Sequence, residues 1–202
     1  MFTGLVEQTG QLLRIDPQNT GRRLAIRTSL ADDPTGIAIG DSLAVNGICL
    51  TVVALGGGIV EVEAGPETLS RTTMGEWHKG RLLNLERAMR ADGRWGGHFV
   101  SGHIDGMGRI SALTAGGLQT TLGVVLPESL LCCVVDKGSI ALDGVSLTVS
   151  AIRGSTVEVA MIPHTRENTV FRVLRVGERV NVETDMLGKY IVQYLSHRKG
   201  LS

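Results

Sequence analysis

The 202-residue sequence has few of the features that mark secreted, metal-stabilised or nucleic-acid-binding proteins. It carries only three cysteines and no C-x-x-C spacing, so we expect neither disulfides nor a structural zinc site. Cys132 and Cys133, adjacent in LLCCVV, have the pattern of small apolar residues in a buried strand. The formal net charge of zero removes the electrostatic argument for nucleic acid as a partner.

Long hydrophobic runs are also absent. No apolar segment approaches the roughly 18 residues of a membrane span. The opening MFTGLVEQTG lacks the basic stretch and apolar core of a signal peptide. We therefore expect a cytoplasmic protein with no membrane partner. Hydrophobic residues at 43% and charged residues at 20% favour a globular fold, which leaves a small neutral or polar ligand open.

The two halves of the chain carry similar sequences. At an offset of 97, DSLAVNGICLTVV (41–53) matches GSIALDGVSLTVS (138–150), and 80–89 matches 177–186. Near the start the offset is 98, where FTGLVEQTGQL matches VSGHIDGMGRI. Solenoid repeats run about 20 to 50 residues, so this longer spacing predicts duplication of a whole small domain. We expect the boundary near GGHF at 96–99.

Each half contains short β-branched runs punctuated by Gly, Asn and Asp, such as CLTVVAL and TVEVAM. Val60, Val62 and Ala64 alternate with glutamates, which indicates one buried and one wet face. The pattern predicts antiparallel β structure, in which a closed barrel is favoured over a sandwich because closure removes exposed edges. TLSRT and TRENT are predicted to form single helical turns.

The last stretch, DMLGKYIVQYLSHRKG, has no counterpart in the first half. Leu187, Tyr190, Ile191, Tyr194 and Leu195 follow helical spacing and predict one apolar stripe. Two interpretations stay open at this point: the helix packs on its own barrel, or it binds copies of itself.

Duplicated domains share what the fold needs, so their differences indicate where function is unequal. Cys49 faces Ser146, Leu5 faces His103, and Asn46 faces Asp143. A cysteine in such a strand is more often a packing residue. However, a buried packing site seldom alternates Cys with Ser, because an unpaired buried hydroxyl costs about 1–3 kcal/mol. The exchange therefore makes Cys49 a candidate for ligand contact.

The glycine-rich segment GGHFVSGHIDGMG carries His98 and His103. Their spacing of five matches no helical metal pair, and no G-K-[ST] or G-x-G-x-x-G is present, so we predict neither a metal nor a nucleotide site. His103 is either a surface loop residue or a general acid or base, since the pKa of an ordinary histidine suits proton transfer at neutral pH.

Two proline-led segments, at Pro66 and Pro163, follow strands of matching pattern. Their free backbone groups are candidates for ligand contact. The alternative is that Thr68 and Thr165 simply cap one-turn helices.

Seven motifs, MFTGLVE, NGICLTV, PETLSRT, NLERAM, GGHFVSGHIDG, DGVSLTV and IPHT, together resemble the riboflavin synthase family in its trimeric two-barrel form. The resemblance implies an all-β fold of tandem six-stranded antiparallel Greek-key barrels with a C-terminal helix. It implies barrels at 1–97 and 98–186, and an oligomerisation helix at 187–202 that forms a homotrimer.

The family's reaction, as the resemblance implies it, is a dismutation of two 6,7-dimethyl-8-ribityllumazine molecules without cofactor or metal. One molecule gives a four-carbon unit to the other, which yields riboflavin and 5-amino-6-ribitylaminouracil. Each barrel is expected to bind one substrate, and the active site is expected where the N-terminal barrel of one subunit meets the C-terminal barrel of the next.

Site residues follow from the same resemblance, which implies ligand contacts in both barrels. In the first barrel they are Gly4, Leu5, Val6, Cys49, Leu50, Thr51, Glu63, Ala64, Gly65, Pro66, Glu67 and Thr68. In the second they are Gly102, His103, Ile104, Lys137, Ser146, Leu147, Thr148, Ile162, Pro163, His164 and Thr165. Residues implied to be needed for activity are Phe2, Ser42, Cys49 and His103.

The reaction is chemically feasible without a metal because the C7 methyl carbanion of the substrate delocalises into its ring, so a base and two aligned substrates suffice. We expect His103 to transfer the proton, Cys49 with Ser42 to polarise or add to the acceptor, and Phe2 to form an apolar wall. Two rivals are a lumazine-binding protein that catalyses nothing and a β-barrel interaction module whose helix recruits partners.

Overall fold

The computed structural model describes residues 1–33, 36–116 and 119–199. Six strands form each half, and an α-helix ends the chain. The first half contains β1 (Gln8–Gln18), β2 (Gly21–Arg27), β3 (Ser42–Val45), β4 (Ile48–Gly56), β5 (Ile59–Ala64), α1 (Pro66–Arg71) and β6 (Leu82–Arg87). The second contains β7 (Gly106–Gly116), β8 (Gln119–Val125), α2 (Glu128–Leu131), β9 (Ser139–Leu142), β10 (Val145–Arg153), β11 (Thr156–Met161), α3 (Pro163–Asn168) and β12 (Arg179–Thr184), before α4 (Met186–Lys199).

Each half is a closed antiparallel barrel, as the sequence predicted. The strand order is β1-β2-β5-β4-β3-β6 in the first and β7-β8-β11-β10-β9-β12, the same cycle, in the second. Within it, β3, β4 and β5 are neighbours in sequence while β2 lies beside β5, which is a Greek key. Both barrels also bend at an equivalent bulge, after Val52 in β4 and after Val149 in β10. The duplication therefore extends to local irregularities.

Alternation along the strands sorts side chains between two separate barrel cores. In β4, Leu50 and Val52 are buried inside the first barrel, and in β10, Leu147 and Val149 are buried inside the second. Because successive side chains point to opposite faces, the residues between them lie on the outside of each barrel. The repeated heptamer thus supplies both core and outer surface.

The predicted helical turns are present but begin earlier than expected. α1 and α3 start at Pro66 and Pro163, each at the first helical position, where proline's missing N–H costs nothing. Neither Thr68 nor Thr165 is an N-cap. That role falls to Thr72 and, in the second half, Thr169, whose hydroxyls accept a bond from the second residue of the following 3-10 helix.

The prediction of a buried strand at LLCCVV is wrong. Cys132 and Cys133 follow the single turn of α2; the side chain of Cys132 is exposed, and that of Cys133 is half-buried. Leu130 and Val134 reach the barrel core instead, since residues four apart on a helical turn share one face.

A buried polar network joins the two barrels. The Asn84 side chain donates to the Asp143 carbonyl at 2.9 Å, and its equivalent Asn181 donates to the Asn46 carbonyl at 2.9 Å. Each asparagine oxygen accepts a main-chain N–H of the opposite half at 2.8 Å. The reciprocal bonds relate the barrels by an approximate twofold axis.

α4 leaves its apolar stripe uncovered. Contact with the second barrel is made near its start, where Lys189 Nζ lies 2.7 Å from Asp105 Oδ2. The five predicted stripe residues are 52–69% exposed. Packing of this stripe on its own barrel is therefore excluded. Within the described ranges, no helix is long and apolar enough to cross a membrane.

Candidate functional site

Cys49 and Thr51 lie on the outer face of the first barrel. In β4 the core residue Leu50 is 4% exposed, whereas Cys49 is half-buried and Thr51 exposed. Ser146 and Thr148 repeat this arrangement in β10. Position 49 and its equivalent therefore face outward from the barrel cores.

The segment 101–104, called the crossing segment below, lies directly over Cys49. The Cys49 N–H donates to the Gly102 carbonyl at 2.9 Å. Gly102 has φ +82°, and a Cβ there would fall 2.5 Å from Cys49 Cβ. Only glycine accommodates both the left-handed backbone and this close approach.

The crossing brings His103 and Cys49 to one cavity. Its volume is about 260 Å³, and its walls come from β4, from α1 and from the crossing segment. Glu67, Thr68 and Ile104, all predicted, also line it. Ile48, Arg71 and Thr72 line it as well and were not predicted. The cavity thus combines a thiol, an imidazole, a carboxylate and a guanidinium in a space suited to part of a small polar ligand.

Ser146 occupies the equivalent position in the second barrel, where Gly4 crosses it. The Ser146 N–H donates to the Gly4 carbonyl at 2.8 Å. His98 Nδ1 lies 2.7 Å from Ser146 Oγ, and His98 Nε2 has no hydrogen-bond partner among the described residues. Burial lowers the pKa of His98, which favours its neutral form. His98 was considered only as a metal ligand; its place in the glycine-rich segment was the available signal.

The crossing segments are exchanged relative to the prediction. Gly4, Leu5 and Val6 were grouped with the first barrel's site, and Gly102, His103 and Ile104 with the second. Instead Val6 packs against the core of the second barrel and Ile104 against the core of the first. Each crossing segment precedes its own barrel in the chain, but it extends across the interface between the barrels and packs on the other barrel.

Two of the predicted catalytic residues lie outside the cavity of Cys49. Phe2 is fully buried, in a cluster with Ala44, Val100 and Ala141 against which Cys49 packs, and it does not line this cavity. Ser42 shares the outer face of the sheet, but lines a separate cavity of about 630 Å³ beside Glu86 and Arg87.

Several predicted ligand contacts turn their side chains elsewhere. Leu50, Ala64 and Leu147 point into the barrel cores and offer a ligand only their backbone. Glu63 is paired with Arg23, Nε to Oε1 at 2.9 Å. The cavity of Cys49 and His103 is not lined by Thr51 in β4, by Glu63 in β5, or by Gly65 and Pro66 at the start of α1.

Lys137 has left-handed backbone geometry, with φ +61°, where the first half has Gly40 with φ +94°. Both residues donate their N–H to the strand that carries Cys49 or Ser146, Lys137 to Val149 at 3.0 Å and Gly40 to Val52 at 2.9 Å. A lysine kept in a conformation better suited to glycine favours a functional use of its side chain. Ile162, the N-cap residue before α3, is 58% exposed and available to a ligand.

Comparison with known proteins identifies the fold and the relatives. The lumazine binding domain family model matches residues 3–88 and 101–185. The riboflavin synthase of Bacillus amyloliquefaciens is 43% identical over 195 residues, covering 96% of this chain and 90% of the relative. That of Brucella abortus is 39% identical over 204 residues, covering 98% of this chain and 100% of the relative.

Solved structures agree with this assignment. The crystal structure of LumP complexed with 6,7-dimethyl-8-(1'-D-ribityl) lumazine has a TM-score of 0.81 and 25% identity, and covers 91% of this chain and 99% of LumP. LumP complexed with riboflavin gives a TM-score of 0.82 over the same shares. Since the family model matches both halves and the riboflavin synthases match almost end to end, the chain belongs to the riboflavin synthase family of tandem lumazine-binding domains.

Proposed function

We propose that the chain is a riboflavin synthase that acts on two molecules of 6,7-dimethyl-8-ribityllumazine. One molecule transfers a four-carbon unit to the other, which gives riboflavin and 5-amino-6-ribitylaminouracil. The observation that carries the proposal is the pair of equivalent sites, one with Cys49 beside His103 and one with Ser146 beside His98. A reaction between two identical substrates needs two similar sites with unequal chemistry.

Within this proposal His103 is the proton-transfer group. Its side chain is exposed in the cavity, so a substrate's C7 methyl can approach it. Cys49, half-buried at the base of the same cavity, polarises or adds to the ring of the acceptor. Ser42 remains a predicted catalytic residue on the adjoining outer face. Phe2 acts from behind Cys49, by packing rather than by contact with substrate.

No external oxidant is required. The two products together contain the atoms of the two substrates, so protons and carbon units only move between the bound molecules. Alignment of two stacked rings converts a bimolecular step into one that is effectively unimolecular, and this alone contributes up to about 7–11 kcal/mol in favourable cases.

The proposal includes a homotrimer, with barrels at 1–97 and 98–186 and an oligomerisation helix at 187–202. The uncovered stripe on α4 supports self-association, because contiguous exposed apolar residues mark interaction surfaces. The stoichiometry of three comes from the family resemblance. A cytoplasmic location also belongs to the proposal, and the three free cysteines fit a reducing compartment.

A protein that binds lumazine without converting it is the second candidate. It is favoured by the likeness to LumP, which was crystallised with a lumazine, a flavin mononucleotide and riboflavin. The presence of Cys49 and His103 in one cavity favours the enzyme. Incubation of the purified protein with the lumazine decides between them: growth of riboflavin absorbance supports catalysis, and binding without conversion supports the alternative.

A further inference from the structure

A buried glutamate forms hydrogen bonds to the segment that crosses Cys49. Glu183, in β12, is 2% exposed. Its Oε1 accepts bonds from the Ser101 N–H at 2.7 Å and the Ser101 hydroxyl at 2.6 Å, and its Oε2 accepts from the Gly102 N–H at 2.9 Å. Both carboxylate oxygens are thus committed to two consecutive residues of the crossing segment.

The equivalent glutamate of the other half makes the same hydrogen bonds. Glu86, in β6, is 6% exposed. Its oxygens accept from the Thr3 N–H at 2.6 Å, the Thr3 hydroxyl at 2.8 Å and the Gly4 N–H at 3.0 Å. Glu86 therefore holds the segment that crosses Ser146 in the same way as Glu183 holds the segment that crosses Cys49.

From Glu183 the contacts continue to the cavity. The Ser101 hydroxyl accepts a bond from the His103 N–H at 3.2 Å, and the Gly102 carbonyl accepts the bond from Cys49. His103 is therefore held at both its amide and the residue before it. A shift of the segment would move the imidazole relative to the thiol.

We propose that Glu183 is a positioning residue for the site of Cys49 and His103, and that Glu86 serves the Ser146 site in the same way. The inference rests on the proposed function for its effect on turnover. The position of the segment over Cys49, which Glu183 fixes, does not depend on whether the protein catalyses this reaction.

A carboxylate is required at these positions because every group that contacts it donates a hydrogen bond, so both of its oxygens must accept. Glutamine keeps one acceptor oxygen, and its NH2 group would face either the Gly102 N–H or the Ser101 N–H, donor against donor. Glu183→Gln keeps the size of the side chain and removes only this match. Glu86→Gln makes the same change at the other site and is the matched control.

Cys49 alkylation tests the geometric part. The variants are made in a Cys132→Ala/Cys133→Ala background, so that iodoacetamide reports on Cys49 alone. We expect Glu183→Gln to accelerate alkylation at a temperature where all variants are folded, because the crossing segment opens more often. Glu86→Gln should leave this rate unchanged. Equal acceleration in both variants, or in neither, would overturn the proposal.

Ser101 offers a second route in case Glu183→Gln folds poorly. Ser101→Ala removes the hydroxyl that links Glu183 to His103 and should accelerate alkylation. Ser101→Thr keeps a hydroxyl, as the equivalent Thr3 has, and should be alkylated at Cys49 at the same rate as the parent. If Ser101→Ala and Ser101→Thr react at the same rate, the hydroxyl does not position the segment and the linkage to His103 is wrong.

Turnover of the lumazine separates this inference from the proposed function. A parent protein that converts no lumazine contradicts the proposed function, while the alkylation rates still decide the positioning. In an active parent, Glu183→Gln should lower kcat by about tenfold to a hundredfold, as small misplacements of reacting groups do. KM should change less. An unchanged kcat in a folded Glu183→Gln variant would overturn the positioning role.

Discussion

The imidazole Nδ1 of His98 lies 2.7 Å from the hydroxyl oxygen of Ser146, at the position where the other half of the chain has Cys49. Burial, opposed by the negative charge of Asp185, lowers the pKa of His98. A neutral imidazole can accept the Ser146 proton or donate to its oxygen, according to tautomer. The second site therefore pairs a hydroxyl with a histidine, as the first pairs a thiol with one.

This lowered pKa predicts a pH dependence of stability. An unfolded histidine binds a proton near pH 6.5, and the folded state resists it, so the free energy of unfolding should fall as pH drops below that value. His98→Gln should reduce this fall. Urea unfolding at pH 7.5 and 5.5 measures it, with the exposed His78→Gln as the control. An equal fall in both variants would show that His98 titrates normally.

Catalysis should depend on His103 and Cys49 together. Loss of a general acid or base typically costs 10²- to 10⁴-fold, and His103→Gln should lower the rate of riboflavin formation by about that factor. Cys49→Ala should lower it as well, while His197→Gln on α4 should not. Wild-type turnover in His103→Gln removes its proton-transfer role, and an unchanged rate in Cys49→Ala returns that residue to packing.

Gly102 should be less tolerant of a side chain than a glycine with similar backbone geometry. Gly80 has φ +92° and open space around its Cβ position, whereas Gly102 has φ +82° and backbone and side-chain atoms of Cys49 within 3.0 Å. Alanine at either position costs about 1–2 kcal/mol of conformational strain. Only Gly102→Ala should also weaken riboflavin binding, measured by fluorescence titration. Equal binding by both variants would show that the close approach does not shape the site.

Asp143 should make the protein less stable at neutral and higher pH than near pH 4. It is completely buried, and this burial raises its pKa to about 7. Because the unfolded carboxyl ionises near pH 3.9, the free energy of unfolding falls as pH rises from about 4 to 7. Asp143→Asn keeps the oxygen that accepts the Asn181 N–H at 2.8 Å and copies Asn46 of the first half.

Asp143→Asn should therefore gain up to about 4 kcal/mol of stability at pH 8 and little near pH 4. Urea unfolding at both pH values tests this, with the exposed Asp92→Asn as the control. A gain of the same size at pH 4 would mean that charge is not its cause.

Removal of α4 should dissociate the assembly. Sedimentation of the full chain should give a larger mass than a chain truncated after Met186. Ile191→Glu, in the exposed apolar stripe, should act in the same direction by placing a charge in the interface. Ser196→Glu, on the opposite face of the helix from Leu187, should not. Identical masses for the full and truncated chains would contradict a role of the helix in assembly.

Much of the fold could be predicted because its determinants are local and repeated. The match between 41–53 and 138–150 contains the inward Leu and Val residues and the outward Cys49 and Ser146 in the same alternation. The exposure of Cys132 could not be predicted from the sequence, because a six-residue apolar run has the same pattern in a helical turn as in a buried strand.

The exchange of the crossing segments could not be predicted from the sequence, for a different reason. An alignment of one half with the other shows that Gly4 corresponds to Gly102, but both lie before their barrels in either arrangement. Which barrel each segment covers depends on the packing of Val6 and Ile104 across the interface. Such long-range choices have no periodic signature in sequence.

The reciprocal crossing of the two halves also explains how the two sites can be unequal. In a twofold dimer of identical chains, every substitution at position 5 would reach both sites at once, and the sites could never diverge. Because the two halves are joined in one chain, positions 5 and 103 are separate and can carry different residues. A histidine therefore lies beside Cys49 while the equivalent position 5 is leucine, so the pair of sites has a direction that a symmetric dimer would lack.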